Sequence, residues 1–199
     1  MGPSLELKAA GTLGTVGAVP SRRQGCSEAT TLASFAATVE APRPRAAGSL
    51  MRQQLNTLEV STAGEGFTDL TATLQRQLNA SGLQRGVLHL VVLHTSCSLT
   101  INENADPRVL RDLAAYLQAL VPQEGVRPLS GRGSLRPYAH DDEGPDDMPA
   151  HIRSALTTTS LSLSFEAGRL LLGTWQAVYL WEHRSAPHRR RLSVHLLGE

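Results

Sequence analysis

The sequence contains very little lysine, little cysteine and no long apolar run. Lys8 is the only lysine among 199 residues, which excludes a Schiff-base lysine everywhere after that position. The two cysteines, Cys26 and Cys97, lie far apart and form neither a CxxC pair nor a disulfide framework, a pattern typical of a reducing compartment. No apolar run approaches the roughly 20 residues of a membrane-spanning helix, and the N-terminus lacks the pattern of a secretory signal. We therefore expect a cytoplasmic protein without a membrane partner.

The overall charge gives no indication of a nucleic-acid partner. The formal net charge is +1, so no general electrostatic field attracts a polyanion. The three arginines at 189–191 have no aromatic side chains interleaved with them, and stacking aromatics are the usual companions of arginine on single-stranded nucleic acid. We interpret this run as a solvated or interface edge and expect no nucleic-acid binding.

Residues 1–50 differ in composition from the rest of the chain. They are rich in Gly, Ala, Ser, Thr and Pro, and the stretch 41–45 (Ala-Pro-Arg-Pro-Arg) is hostile to helix. Such a composition offers little apolar surface to bury. We expect either a disordered extension or a mis-assigned start with Met51 as the initiator, followed by one domain over residues 51–199.

Apolar periodicity after Met51 predicts more strands than helices. Strands are predicted at 53–60 (an edge strand), 87–93, 98–101, 161–165, 170–172, 178–181 and 192–197. Helices are predicted at 67–79, after Asp106-Pro107 as N-cap and first turn, and at 146–156 with Met148, Ile152, Ala155 and Leu156 facing the core. Because few strands are joined by βαβ crossovers, we predict an α+β, β-rich fold with mainly antiparallel sheets.

The most informative segment is the polar run 94–107, which directly follows the apolar strand 87–93. Buried polar groups need partners, and a cluster of them after a buried strand is tolerated most often where they perform chemistry. His94 is a candidate ligand or acid/base, and Glu103 is either a simple helix-start charge or a fixed general base. Cys97 is a weak nucleophile candidate, since no adjacent cation favours its thiolate. The hydroxyls of this run suit either anion binding or cross-strand pairing: Thr95, Ser96, Ser98 and Thr100.

A second polar segment, 140–151, combines acidic and imidazole side chains. Its carboxylates are Asp141, Asp142, Glu143, Asp146 and Asp147, bracketed by His140 and His151. Asp147 and His151 stand at i, i+4 on one predicted helical face. The oxygens favour Mg²⁺, whereas convergence of His94, His140 and His151 would favour Zn²⁺, and a solvated acidic loop is the alternative.

A third segment, Gly-Thr-Trp-Gln at 173–176, enters the strand that ends in Glu-His-Arg at 182–184. A glycine before Thr174 indicates a close approach of the backbone to a ligand or a neighbouring chain. Thr174 and Gln176 are therefore candidate substrate-binding residues. Trp175 and Trp181 are most simply core or subunit-interface residues.

These motifs, in this order, resemble the YjbQ-like family, which is described as having a secondary thiamine-phosphate synthase activity. The resemblance covers about residues 51–199. The matching stretches are His-Thr-Ser at 94–96, Asn-Glu-Asn-Ala-Asp-Pro at 102–107, Tyr-Ala-His at 138–140, Glu-Gly at 143–144, Asp-Asp-Met-Pro at 146–149, His-Ile at 151–152, Gly-Arg at 168–169, then 173–176, 182–184 and Gly-Glu at 198–199.

The resemblance implies a two-sheet, jelly-roll-like sandwich with two or three helices, assembled as a homotrimer with sites near the subunit boundaries. It also implies a weak activity that joins a pyrimidine diphosphate to a thiazole phosphate and releases pyrophosphate; the true small phosphorylated or heterocyclic substrate is left open. A non-catalytic, trimeric metal- or ligand-binding module is the alternative reading.

Each candidate residue has an expected role in that chemistry. His94, Glu103 and His140 are the expected catalytic residues, with Glu103 orienting a histidine that handles protons. The expected substrate-binding residues are Thr95, Ser96, Thr100, Asn102, Arg169, Thr174, Gln176 and Arg184, the two arginines meeting phosphate. A divalent cation, Mg²⁺ or Zn²⁺, is expected on Asp141, Asp142, Asp146, Asp147 and His151.

Overall fold

The structure is a computed structural model that describes residues 50–128 and 130–199. The expected N-terminal extension, with its alternative of a mis-assigned start, lies outside these residues except for the exposed Leu50. Within the described ranges, no helix is long and apolar enough to cross a membrane.

The described chain contains eight strands and three helices. The elements are β1 (Arg52–Ser61), β2 (Gly66–Asp69), α1 (Thr71–Ser81), β3 (Arg85–Val92), β4 (Cys97–Glu103), α2 (Pro107–Leu120), α3 (Asp147–Leu156), β5 (Ser160–Glu166), β6 (Arg169–Leu170), β7 (Gln176–Glu182) and β8 (Arg189–Gly198). The predicted start of α2 is confirmed, because the side chain of Asp106 accepts a hydrogen bond from the Arg108 N–H and Pro107 occupies the first turn.

The strands form two sheets in which every pairing is antiparallel. The larger sheet has the order β1-β8-β3-β5-β6, and the smaller one has the order β2-β7-β4. The predicted α+β class, the antiparallel pairing and the edge position of β1 are therefore confirmed.

A continuous apolar core joins both sheets and α1. Alternate residues of the long strands point into it, as the period of two requires. Its fully buried members include Leu88, Leu90, Val194 and Leu196 from the larger sheet, Leu99, Val178 and Leu180 from the smaller sheet, and Leu74 and Leu78 from α1. This core fixes the positions at which β4 and β7 end.

Two local predictions are wrong. Phe67 was expected in the first helix, but residues 66–69 form β2, and α1 begins only at Thr71. Phe67 stacks on Trp181 of the neighbouring strand, with ring centroids 4.5 Å apart, so a tertiary aromatic contact outweighs the local helical period.

Helix α3 buries a different face from the one predicted. Its buried residues are Asp147, Pro149, Ala150, Arg153 and Ser154, whereas Leu156 is 58 % exposed and Ala155 is also exposed. The Arg153 guanidinium donates to Glu65 Oε1 at 2.9 Å and to the Val121 carbonyl oxygen at 3.0 Å. The buried face of this helix therefore combines the polar Asp147, Arg153 and Ser154 with Pro149 and Ala150, and Arg153 contributes polar contacts that position it.

Candidate functional site

The pairing of β4 with β7 separates the predicted site residues into two groups. Cys97 lies opposite Glu182 at one end of this pair, and Glu103 lies opposite Gln176 at the other. At about 3.4 Å per residue the two ends are roughly 20 Å apart. The histidines and most of the acidic segment gather at the Cys97 end, which we call the histidine end.

Three side chains converge at the histidine end. The Oδ2 atom of Asp147 lies 2.8 Å from His140 Nε2 and 3.6 Å from His151 Nε2. One ligand atom from each of these residues falls within 4.8 Å of the others. Asp147 is only 2 % exposed, yet its Oδ2 has no partner with hydrogen-bond geometry among the described residues, in spite of the short distance to His140. Three potential metal-ligand atoms therefore face one another, and the His140–Asp147 contact has an ion-pair distance without hydrogen-bond geometry.

Arg184 fixes the acidic side of this cluster. Its Nη1 donates to Asp147 Oδ1 and its Nε donates to Asp146 Oδ2 at 3.2 Å, while Nη2 donates to the Glu143 carbonyl oxygen at 2.7 Å. Burial acts to raise the pKa of Asp146, but bonds from the Ser185 N–H, the Ser185 hydroxyl and Arg184 outweigh it and lower the pKa to about 2. The guanidinium that was predicted to meet phosphate is thus engaged by carboxylates.

His151 is oriented by the backbone. Its Nδ1 lies 3.0 Å from the carbonyl oxygen of Thr95, and since a carbonyl only accepts, Nδ1 carries the proton. The lone pair then resides on Nε2, the atom that faces Asp147. A backbone carbonyl that fixes the tautomer in this way is a common partner of metal-ligating histidines.

A buried ion pair lies behind the cluster. Glu182 and Arg190 are each 1 % exposed, and the guanidinium donates to both carboxylate oxygens, at 2.6 and 2.7 Å. Burial acts to raise the pKa of Glu182, but the bonds from Arg190, the Arg184 N–H and Thr62 outweigh it and lower the pKa. Glu182 Oε1 also accepts the N–H groups of His183 and Arg184 at 3.0 Å. One carboxylate therefore holds both Arg190 and the backbone that carries Arg184.

Arg190 connects this pair to His94 through Ser96. Its Nη2 donates to Ser96 Oγ at 3.0 Å, and the same Oγ lies 3.1 Å from His94 Nδ1. The Ser96 N–H donates to that nitrogen at 3.2 Å. Burial, followed by the charge of Arg190, lowers the pKa of His94. Ser96 is thus an internal link to His94.

A cleft of about 480 Å³ opens beside the cluster. It is lined by Val92, His94, Thr95, His151, Ser154, Ala155, Thr157 and Thr159. His94 and His151 thus share one cleft, although His94 is not a member of the three-residue cluster. Asp141 and Asp142 are exposed and also lie outside that cluster.

The remaining predicted residues lie elsewhere. Glu103 and Asn102 end β4, where the Asn102 side chain accepts the Glu103 N–H at 2.8 Å, and Thr100 lies within the same strand. Arg169 and Gln176 line a separate cavity of about 870 Å³ beside α1, and Gln176 Oε1 accepts the Gly173 N–H at 2.7 Å. Thr174 and Trp175, the latter 63 % exposed, are on the surface near this second group.

Two reactive side chains are buried away from solvent. Cys97 is 0 % exposed, and burial raises the pKa of its thiol to about 12, which removes it as a nucleophile. His183 is also 0 % exposed; its Nε2 lies 2.8 Å from Ser98 Oγ, and burial followed by Arg153 lowers its pKa to about 4.

Sequence reasoning assigned no site role to Glu182 and placed Arg190 on a solvated edge. A signal was present for Arg190, because it falls in the same alternation as the inward residues Leu192, Val194 and Leu196 of β8. This alternation was not recognised because Arg190 lies within a run of three arginines.

Known proteins resemble this α+β chain of two antiparallel sheets both in sequence and in fold. The family model described as UPF0047 protein YjbQ-like matches residues 56–199. A UPF0047 protein of Synechocystis sp. is 47% identical over 148 residues, covering 74% of this chain and 94% of the relative. The UPF0047 protein YjbQ of Escherichia coli O157:H7 is 41% identical over 144 residues, covering 72% and 96%.

Solved structures show the same fold. A conserved hypothetical protein of Thermus thermophilus has a TM-score of 0.58 at 38% identity, covering 71% of this chain and 98% of that chain. A protein of unknown function from Sulfolobus solfataricus P2 has a TM-score of 0.65 at 21% identity, covering 75% and 100%. This chain belongs to the UPF0047 YjbQ-like family.

Proposed function

We propose that His140, Asp147 and His151 bind a divalent metal ion, with Zn²⁺ as the best match. The observation that carries the proposal is the buried Asp147 Oδ2, which faces two imidazole nitrogens without a hydrogen-bond partner in the described part of the chain. Two nitrogens and one oxygen form a ligand set typical of catalytic zinc, with a further position open to water or substrate, whereas Mg²⁺ prefers oxygen alone.

We propose further that the protein is an enzyme acting on a small phosphorylated substrate in the adjoining cleft. The candidate reaction, which follows from the family resemblance, is thiamine-phosphate synthesis. The thiazole ring nitrogen forms a bond to the pyrimidine methylene carbon, the C–O bond to the diphosphate breaks, and pyrophosphate leaves with the electron pair. A cation held by His140, Asp147 and His151 would neutralise the charge that develops on the departing oxygens. We also propose that the protein is cytoplasmic and assembles as a homotrimer.

Metal binding is tested by isothermal titration of Zn²⁺ into apoprotein, together with elemental analysis of the purified protein. Asp147→Asn keeps the size of the side chain and removes the anionic ligand, so we expect zinc affinity to fall at least about 100-fold. Asp142→Asn is the matched control, because Asp142 is exposed and outside the cluster. Equal zinc affinity in the wild type and Asp147→Asn would refute the metal site.

Turnover is tested separately, by measuring pyrophosphate release and thiamine phosphate formation with the zinc-loaded protein. Product formation that is lost in His140→Gln and Asp147→Asn and retained in Asp142→Asn supports an enzyme. Saturable binding of pyrophosphate without any product would instead favour the alternative of a non-catalytic metal- or ligand-binding module.

A further inference from the structure

We infer that His94 is a fixed, neutral hydrogen-bond donor that presents its Nε2–H to an oxygen of a phosphorylated substrate, and that Ser96, Arg190 and Glu182 hold it in that state. The substrate class rests on the proposed function. The protonation state rests on hydrogen-bond geometry and neighbouring charges and not on the substrate, so the two can fail independently.

The first step is the tautomer of the His94 ring. The backbone N–H of Ser96 lies 3.2 Å from His94 Nδ1, and a backbone N–H is always a donor. Nδ1 must therefore accept, which leaves the single proton of the neutral ring on Nε2. This is the reverse of His151, whose Nδ1 donates to a carbonyl oxygen.

The second step is the direction of the side-chain hydrogen bonds. Arginine has no acceptor, so Arg190 donates to Ser96 Oγ, and the hydroxyl proton of Ser96 is directed to His94 Nδ1, 3.1 Å away. The bidentate bonds to Glu182 fix the guanidinium in turn. Every bond in this series of contacts has one direction only.

The charged groups around His94 also favour the neutral ring. Protonation of His94 at Nδ1 would break the bond from the Ser96 N–H, would turn Ser96 Oγ from a donor into an acceptor, and would place a cation near the buried Arg190. The charged and titratable groups that act on His94 are Arg190 and Glu182 from β8 and β7, His188 before β8, and His151 from α3. Only the Glu182 carboxylate favours the charged ring. That carboxylate is neutralised by Arg190, whose Nη2 lies 2.6 Å from Glu182 Oε1.

The consequence is a specific role in the cleft. A neutral ring with a fixed Nε2–H binds an anionic oxygen and does not remove a proton, so His94 is a donor and not a general base. His94 shares this cleft with His151, one of the three proposed metal ligands. A phosphoryl oxygen can accept a hydrogen bond from His94 Nε2–H and can also bind the proposed metal ion, whereas a cationic substrate group can do neither.

The protonation state is measured by long-range ¹H–¹⁵N NMR on metal-free protein labelled in histidine, with His94 assigned from His94→Gln. We expect an unprotonated Nδ1 and a protonated Nε2 at pH 7, and a pKa below the ordinary value of about 6.5. Ser96→Ala should raise this pKa, since it removes one donor to Nδ1. Arg191→Ala, which removes an exposed arginine of the same strand, should leave it unchanged. A proton on Nδ1 at pH 7 would overturn the inference.

Substrate contact is measured by titrating inorganic phosphate into zinc-loaded protein. We expect phosphate to shift the His94 Nε2–H resonance, and His94→Ala to weaken phosphate binding about 10-fold, the usual effect of one hydrogen bond to a charged group. His94→Gln, whose amide N–H lies near the position of Nε2, should restore most of the affinity. Phosphate binding that is indifferent to His94→Ala would overturn the inference even if zinc binds, whereas a protein that binds no zinc but has the expected tautomer would refute only the metal site.

Discussion

The Nδ1 atom of His151 donates to the carbonyl oxygen of Thr95 across 3.0 Å, and this bond connects helix α3 to the segment between β3 and β4. It sets the tautomer of His151 and at the same time fixes the distance between the two walls of the cleft. The geometry at the histidine end therefore depends on contacts between distant parts of the chain.

Arg184→Gln should weaken zinc binding about 10- to 100-fold without removing any ligand, because Asp147 loses the guanidinium that orients it. Isothermal titration of Zn²⁺ measures the change. Arg189→Gln is the matched control, since Arg189 is exposed and pairs only with Glu59 among its described partners. Circular dichroism verifies folding, and Arg184→Lys provides a milder variant. Unchanged zinc affinity in a folded Arg184→Gln protein would contradict the orienting role.

Glu182 and Arg190 should show strong energetic coupling in a double-mutant cycle. Glu182→Gln or Arg190→Met alone leaves one buried charge unpaired, at a cost of about 3–5 kcal/mol, whereas the double variant leaves none. We expect the double variant to lose roughly 2 kcal/mol less than the sum of the two single variants, measured by urea unfolding.

The exposed pair of Glu59 in β1 and Arg189 in β8 supplies the control cycle. Its coupling should be less than about 1 kcal/mol, because solvent screens it. Equal coupling in the two cycles would show that burial of Glu182 contributes nothing special to the energy of the pair.

Acid should destabilise the protein through His183. Its pKa is about 4 in the folded state against an ordinary 6.5, so the unfolded chain binds the proton more tightly. Above pH 6.5 the neutral His183 costs the folded state nothing. As the pH falls to 4, the free energy of unfolding decreases by about 3 kcal/mol, because the unfolded chain binds the proton. His183→Gln should flatten this part of the curve of unfolding free energy against pH, and an unchanged curve would contradict the prediction.

The thiol of Cys97 should resist alkylation in the native protein. With a pKa of about 12, only roughly one molecule in 10,000 carries a thiolate at pH 8, and the sulfur is fully buried. In a Cys26→Ser background, which leaves a single cysteine, an aromatic disulfide reagent should react only after urea is added. Rapid stoichiometric labelling without denaturant would contradict the burial of this strand.

The sequence predicted the features that depend on local spacing. The i, i+4 relation of Asp147 and His151 and the start of α2 after Asp106 both follow from helix geometry, and the structure shows both. His140 was predicted from its place in the polar segment and from the family resemblance, but only the tertiary fold brings it to Asp147.

Proximity in sequence was misleading for Glu103. It follows His94 by only nine positions, and both were expected in one site, but an extended strand of seven residues, β4, separates them. A helix of that length would have kept them about half as far apart, at 1.5 Å per residue instead of about 3.4 Å. The secondary structure of one short segment, strand or helix, thus decides whether the polar run forms one site or two.

The bonds of Glu182 also have a consequence for how the sequence can change. Its carboxylate holds Arg190 on one side and the backbone of Arg184 on the other, so a single substitution there disturbs the His94 network and the His/Asp cluster together. A change at Ser96 or Ser185 disturbs only one of them. Substitutions at those serines can therefore alter either half of the site separately, whereas a substitution at Glu182 alters both halves at once.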